Sequence, residues 1–147
     1  MTTHEQGLAS LPTILALAVL ILAIVVGVTA WSLSESFLSQ GQQQSGQAYI
    51  YTEAGVKDAL MRIARNPAYT CSATDCYSIN MMDAEDGCST NNGCAWVSVS
   101  AADGSVGNPK IITSKGRVKN NIRRIQVDVS ISTDGEITNS VWQELND

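Results

Sequence analysis

The sequence predicts an α+β fold, in which a long N-terminal helix, half membrane-embedded and half amphipathic, packs against a small antiparallel β-sheet head. Three observations predict it. Residues 6–34 carry no charge and are rich in Leu, Ile and Val. Thr52, Val56, Ala59, Leu60 and Ile63 then recur at helical spacing. Further on, Ile125, Val127, Val129 and Ile131 alternate with Gln126, Asp128 and Ser130. Helical spacing marks a helix buried on one side, and strict alternation marks a strand buried on one side.

The first element is the apolar run. Residues 11–31 include five Leu, three Ile and four Val. A helix of that length spans roughly 30 Å, the thickness of a bilayer's hydrocarbon core. Each central Leu, Ile or Val contributes about −0.3 to −0.6 kcal/mol to insertion, with no charge in opposition. Ser10 suits a helix cap, Pro12 falls in the first turn, where its missing donor does no harm, and Trp31 lies at an interfacial position. A cleaved secretory signal is the rival reading, because Val28-Thr29-Ala30 resembles a signal-peptidase site. Such signals place a short apolar run behind a basic leader. This run is longer than theirs and has neither Lys nor Arg before it.

Residues 32–47 are rich in Ser, Gln and Gly. They read either as a flexible spacer or as more helix. Gly41 and Gly46 would each cost a helix about 1 kcal/mol relative to Ala, which places a candidate hinge at 41–46. From Ala48 the helical signal returns. Glu53 with Lys57 and Asp58 with Arg62 are acid-before-base pairs four apart. That orientation supports a helix, and Asn66-Pro67 ends it. The remainder reads as β: residues 77–82, 95–100 and 125–131 are strands. Asp134-Gly135 makes a two-residue hairpin turn that returns through 136–142. The organisation is therefore a leader at 1–7, an apolar helix at 8–32, its extension at 33–66 and a head at 67–147.

Candidate chemistry is sparse. Cys71, Cys76, Cys88 and Cys94 are separated by four, eleven and five residues. No C-x2-C knuckle is present, so two disulfides are favoured over zinc, with three connectivities open. Disulfides also put the C-terminal head outside the cytosol. Asp83, Glu85 and Asp86 before Gly87 read as a solvated acidic turn. A calcium loop needs more oxygen ligands at alternating positions. No cofactor is expected.

Lys110, Lys115, Arg117, Lys119, Arg123 and Arg124 lie within fifteen positions that contain no acid. Contact with DNA or an anionic surface is one reading of this run. No neighbouring aromatic offers a stacking platform, and a solvated loop and strand edge is the favoured reading. From residue 48 onward the chain has nine basic and twelve acidic residues. That balance does not describe a general polyanion binder. The only histidine is His4, and no phosphate-cradling or dinucleotide-binding glycine pattern is present. No enzymatic role is therefore expected.

The short leader ending in Gly7, the uncharged helix, its amphipathic continuation and a small cysteine-bearing sheet together resemble the type IV pilin and type II secretion pseudopilin superfamily. The segments "YTEAGVKDALMRIARN" and "SKGRVKNNIRRIQVDVSIS" are similar to the corresponding parts of PilX-type minor pilins and GspK-type pseudopilins. The resemblance implies a membrane-held precursor, cut between Gly7 and Leu8 by a prepilin peptidase. Assembly machinery would then draw it into a filament with other pilin-like subunits. Pro12 stands at the fifth mature position, where the family usually carries Glu. In the family that Glu neutralises a neighbour's buried N-terminal amine, so its absence implies a minor, tip or initiating subunit. A single-pass anchored surface domain that does not polymerise is the alternative.

Overall fold

The computed structural model describes residues 10–82, 88–89 and 93–145. The predicted cleavage pair Gly7 and Leu8 and the acidic turn Asp83, Glu85 and Asp86 lie outside these residues. The fold is α+β, with element order helix followed by five strands. Helix α1 covers Ser10–Arg65 without interruption, so residues 32–47 continue the helix and are not a spacer. The chain divides into two compact units, Met1–Gln40 and Gly41–Asp147. The second contains α1 from Gly41 onward and the whole sheet.

Helix α1 ends where the sequence denies it a next turn. Asn66 N–H still donates to Arg62 O at 2.9 Å. Pro67 has no N–H to give. The Asn66 side chain then accepts from Ala68 N at 3.1 Å and its carbonyl from Tyr69 N at 2.8 Å, which turns the chain back toward the sheet.

Strands β1 (Tyr77–Asn80), β2 (Cys94–Val99), β3 (Lys110–Val118), β4 (Asn121–Ile131) and β5 (Ile137–Leu145) form one antiparallel sheet in the order β1-β2-β3-β4-β5. The basic segment, read above as a loop and strand edge, is instead largely the central strand β3 and the start of β4. The hairpin from β4 to β5 also differs from expectation. Its loop is Thr133, Asp134 and Gly135, closed by Ser132 N–H donating to Glu136 O at 2.8 Å and Gly135 N–H to Ser132 O at 3.0 Å. Gly135 takes a φ of 84°. The third position of such a loop requires that left-handed backbone.

Val97, Val99, Ile112, Ile125, Val127 and Val129 point to one face of the sheet and are buried with Val56, Ala59 and Ile63 of α1. This is the stripe that the two sequence periods mark. Closest approach occurs one turn earlier, where α1 is built from small residues: Ala48, Thr52 and Gly55. A Cβ at Gly116 would collide with the Ala48 carbonyl oxygen and the Thr52 hydroxyl, and would lie 2.7 Å from Thr52 N. At this point backbone packs on backbone. Thr52 Oγ1 accepts from Gly116 N at 2.9 Å and lies 3.0 Å from Arg123 O and 2.8 Å from Ala48 O, either of which can take its proton. Gly116 and Arg123 are register partners. The hydroxyl thus stands between a donor and an acceptor of the β3–β4 ladder and ties both to the helix.

Candidate functional site: the apolar helix and the head surfaces

Two surfaces matter for function, and each is built by a different unit. The first is the apolar part of α1. All side chains from Pro12 to Thr29 are exposed, from 52% at Val25 to 66% at Ile14 among the large apolar ones. A helix that is apolar all round has no polar face to give to water. Thr29 satisfies its hydroxyl within the helix, by back-bonding to Val25 O at 2.9 Å and Val26 O at 3.0 Å. Threonine can sit inside an apolar helix on those terms. This helix is long and apolar enough to cross a membrane.

The second surface is the solvent face of the sheet. The six predicted basic residues do not form one patch, because strand alternation sends them to opposite sides. Lys110 and Arg123 fall on the helix-facing side, paired in register with Val129 and Gly116. Arg123 donates to Glu144 at 3.0 Å and to Ser45 on α1 at 2.7 and 2.9 Å. Lys119 is in the β3–β4 turn with a φ of 53°, and its carbonyl accepts from Arg117 Nε at 2.9 Å. Lys115, Arg117 and Arg124 remain on the outer face. There the sheet supplies what a linear reading misses: Trp96 of β2 lies directly across from Lys115, with the ammonium 5.0 Å from the ring centre. Only the strand pairing shows this neighbour, which is far away along the chain.

Lys110 does not reach that surface. It is 1% exposed, and its ammonium donates to Tyr69 O at 3.1 Å, at the side of a cleft of about 570 Å³ bordered by Pro67, Asp103 and Gly135. Burial pulls its pKa below the ordinary lysine value, partly offset by the Asp103 carboxylate. Asp103 itself is held below the usual carboxylate range, first by the Ser105 N–H at 2.9 Å. For a lysine with a depressed folded pKa, the unfolded chain binds more protons between the two pKa values. The penalty is therefore fully present at neutral pH and fades as pH rises toward the ordinary lysine value. Lys110→Met removes this penalty together with the hydrogen bond to Tyr69 O, so its stability relative to the parent chain is expected to be highest near neutral pH and to fall in alkaline buffer. Thermal melts of both proteins across the alkaline range check it; an advantage that grows with pH would contradict the assignment.

The cysteines pair locally, Cys71 with Cys76 and Cys88 with Cys94. The first bridge closes immediately before β1 and the second opens β2, so they bracket the short edge strand between them. Arg62 lies over the Tyr77 ring at 4.3 Å, and burial pushes the Tyr77 phenol above its ordinary pKa. Comparison of the chain with protein-family models, with curated proteins and with solved structures finds no significant match.

Proposed function

We propose that the chain is a structural minor subunit, of tip or initiating type, in a type IV pilus-like or pseudopilus filament. The observation that carries this reading is the uncharged stretch of α1, exposed on every side, that continues without a break into the helix of a disulfide-bonded head. Lipid satisfies such a surface before assembly, and sister helices satisfy it afterwards, because both are equally apolar. Two disulfides agree with a head on the oxidising side of the cytoplasmic membrane. Pro12 in place of the family's Glu favours a place where no neighbouring subunit needs that charge partner, such as the tip or an initiation complex.

Sequencing the N-terminus of cell-associated protein tests the processing step, with Leu8 as the expected first residue. Co-purification of other pilin-like subunits with the processed chain tests assembly. A mature protein that keeps Met1 and purifies alone is a plain membrane anchor, which is the competing reading. One that starts at Trp31 and is free in solution is a secreted domain. Either outcome ends the filament proposal.

A further inference from the structure

We infer that the free edge of β5 is a strand-addition site, and that its occupant is an extended segment of a partner protein with an apolar centre followed by Lys or Arg. The inference rests on the head alone and is independent of whether the chain polymerises.

A sheet edge is an open row of N–H and C=O groups, and proteins blunt such rows with short strands, proline, lysine or a bulge. The two edges of this sheet differ in that respect. β1 has four residues and is bracketed by the two disulfides. β5 has nine, with no Pro, Lys or Arg among them, and β4 is its one ladder partner. The register irregularity at Ser130 and Ile131 falls opposite the start of β5, so pairing is regular from Asn139 to Leu145.

The direction of the peptide groups follows from alternation. Ser100 N–H donates to Ile111 O at 2.9 Å, and on the other side of β2 Cys71 and Val99 exchange N–H···O bonds of 2.9 Å. The peptide groups of Ile111, Thr113 and Lys115 therefore turn toward β2, and those of Ile112, Ser114 and Gly116 toward β4. Carried across the register, Arg124, Gln126 and Asp128 bond to Leu145, Gln143 and Val141. That leaves the N–H and C=O groups of Ser140, Trp142 and Glu144 pointing away from the sheet. Among the described residues no strand lies beyond them.

The chemistry of the occupant is read from the side chains around this row. Every residue from Thr138 to Glu144 is exposed. Val141 and Trp142, neighbours in sequence and so on opposite faces, are 56% and 42% exposed. Trp142 is paired with the fully buried Val127, so the apolar inner face continues past the cover that α1 gives it. An added strand covers both side chains only if its centre is apolar on both faces, as a run of β-branched residues is. Charge sets its direction. Just before β5 stand Asp134 and Glu136, exposed and without an ion pair among the described residues, whereas Glu144 near the other end is paired with Arg123. In an antiparallel addition, the orientation of every pair in this sheet, the occupant's C-terminal end meets Asp134 and Glu136. Its cations therefore follow the apolar run. A second copy of β5 does not match, because from Asp134 to the C-terminus the chain has no Lys or Arg.

The test is titration of the full chain in detergent micelles with synthetic peptides, followed by calorimetry and amide hydrogen exchange. The probe is an acetylated peptide with a centre of alternating Val and Ile, Thr before it and a pair of lysines after it. At low salt it is expected to bind with a Kd on the order of 0.1 mM and to slow exchange at Ser140, Trp142 and Glu144 about tenfold. The same peptide with glutamates in place of the lysines is expected to bind at least tenfold weaker. N-methylation of one alternate set of its amides is expected to abolish binding, and of the other set to leave it intact. Ser140→Pro removes an outward N–H without touching a ladder bond, so the free head is expected to stay folded while binding is lost. The pair Asp134→Asn and Glu136→Gln is expected to erase the preference for lysine over glutamate, and tests the site even if Ser140→Pro fails to fold. Protection confined to other strands, equal binding of the two peptides, or indifference to N-methylation of either set would each overturn the inference. So would a dimer of the full chain that Ser140→Pro dissociates, because the occupant would then be a second copy.

Discussion

Gly116→Val is expected to unfold the head, and Gly116→Ala to destabilise it by about 3 kcal/mol, the upper end of ordinary overpacking costs. The expectation follows from what a new Cβ would strike. Two of the three nearest atoms belong to the α1 backbone, the Ala48 carbonyl oxygen and the Thr52 amide nitrogen, and the third is the bonded Thr52 hydroxyl. A flexible side chain can swing aside, but a helix backbone cannot move without carrying its neighbours. The sheet would have to lift away from α1 over Ala48, Thr52 and Gly55 together, opening gaps around Val97 and Ile125. A domain of this size has roughly 5–15 kcal/mol of stability in all, so the larger substitution takes most of it. Urea unfolding of the detergent-solubilised chain, read by tryptophan fluorescence, measures both variants. A loss below about 1 kcal/mol for Gly116→Ala would mean that the close approach is not there.

Thr52→Val keeps shape and volume but removes a hydroxyl with two jobs. It is expected to cost about 2 kcal/mol, the desolvation penalty of a buried donor left without its acceptor. That donor is the amide of Gly116, and Thr52 itself is fully buried. The carbonyl of Arg123 loses a neighbour as well. Thr52→Ser keeps the oxygen and loses only a buried methyl group, so its cost is expected to stay at about 1 kcal/mol. The ordering of the two variants, from the same urea titrations, is the measurement of interest. If valine proves as stable as threonine, the ladder closes on itself without the helix, and the hydroxyl is only a filler.

Both predictions concern a place that was only half legible in the sequence. Thr52, Val56, Ala59 and Ile63 announce the buried stripe because helical spacing survives in any context. The sheet's half of the contact is hidden. The inward positions of β3 are Lys110, Ile112, Ser114, Gly116 and Val118, of which only two are bulky and apolar. Alternation is therefore nearly invisible there, while the outward and flanking lysines and arginines dominate the segment and make it look like a solvated loop. Small inward residues are what a close helix needs, and the same property that positions the site erases its signal. Continuity of α1 through Gly41 and Gly46 was undecidable for another reason: a local cost of about 1 kcal/mol per glycine settles nothing when neighbouring turns are well formed. The pairing of Trp96 with Lys115 depends on register across two strands, which spacing along the chain does not encode.

The placement of the two bridges has a consequence for how the head responds to its surroundings. Neither spans the long loops of the fold; together they pin only the narrow border formed by β1, a short strand whose one ladder partner is β2. A reducing milieu would release that border and leave the four wider strands on their helix. The Asp75 carboxylate, which pairs with the Lys115 ammonium, sits in the loop that the Cys71–Cys76 bridge closes, so the redox state of the compartment also bears on that ion pair.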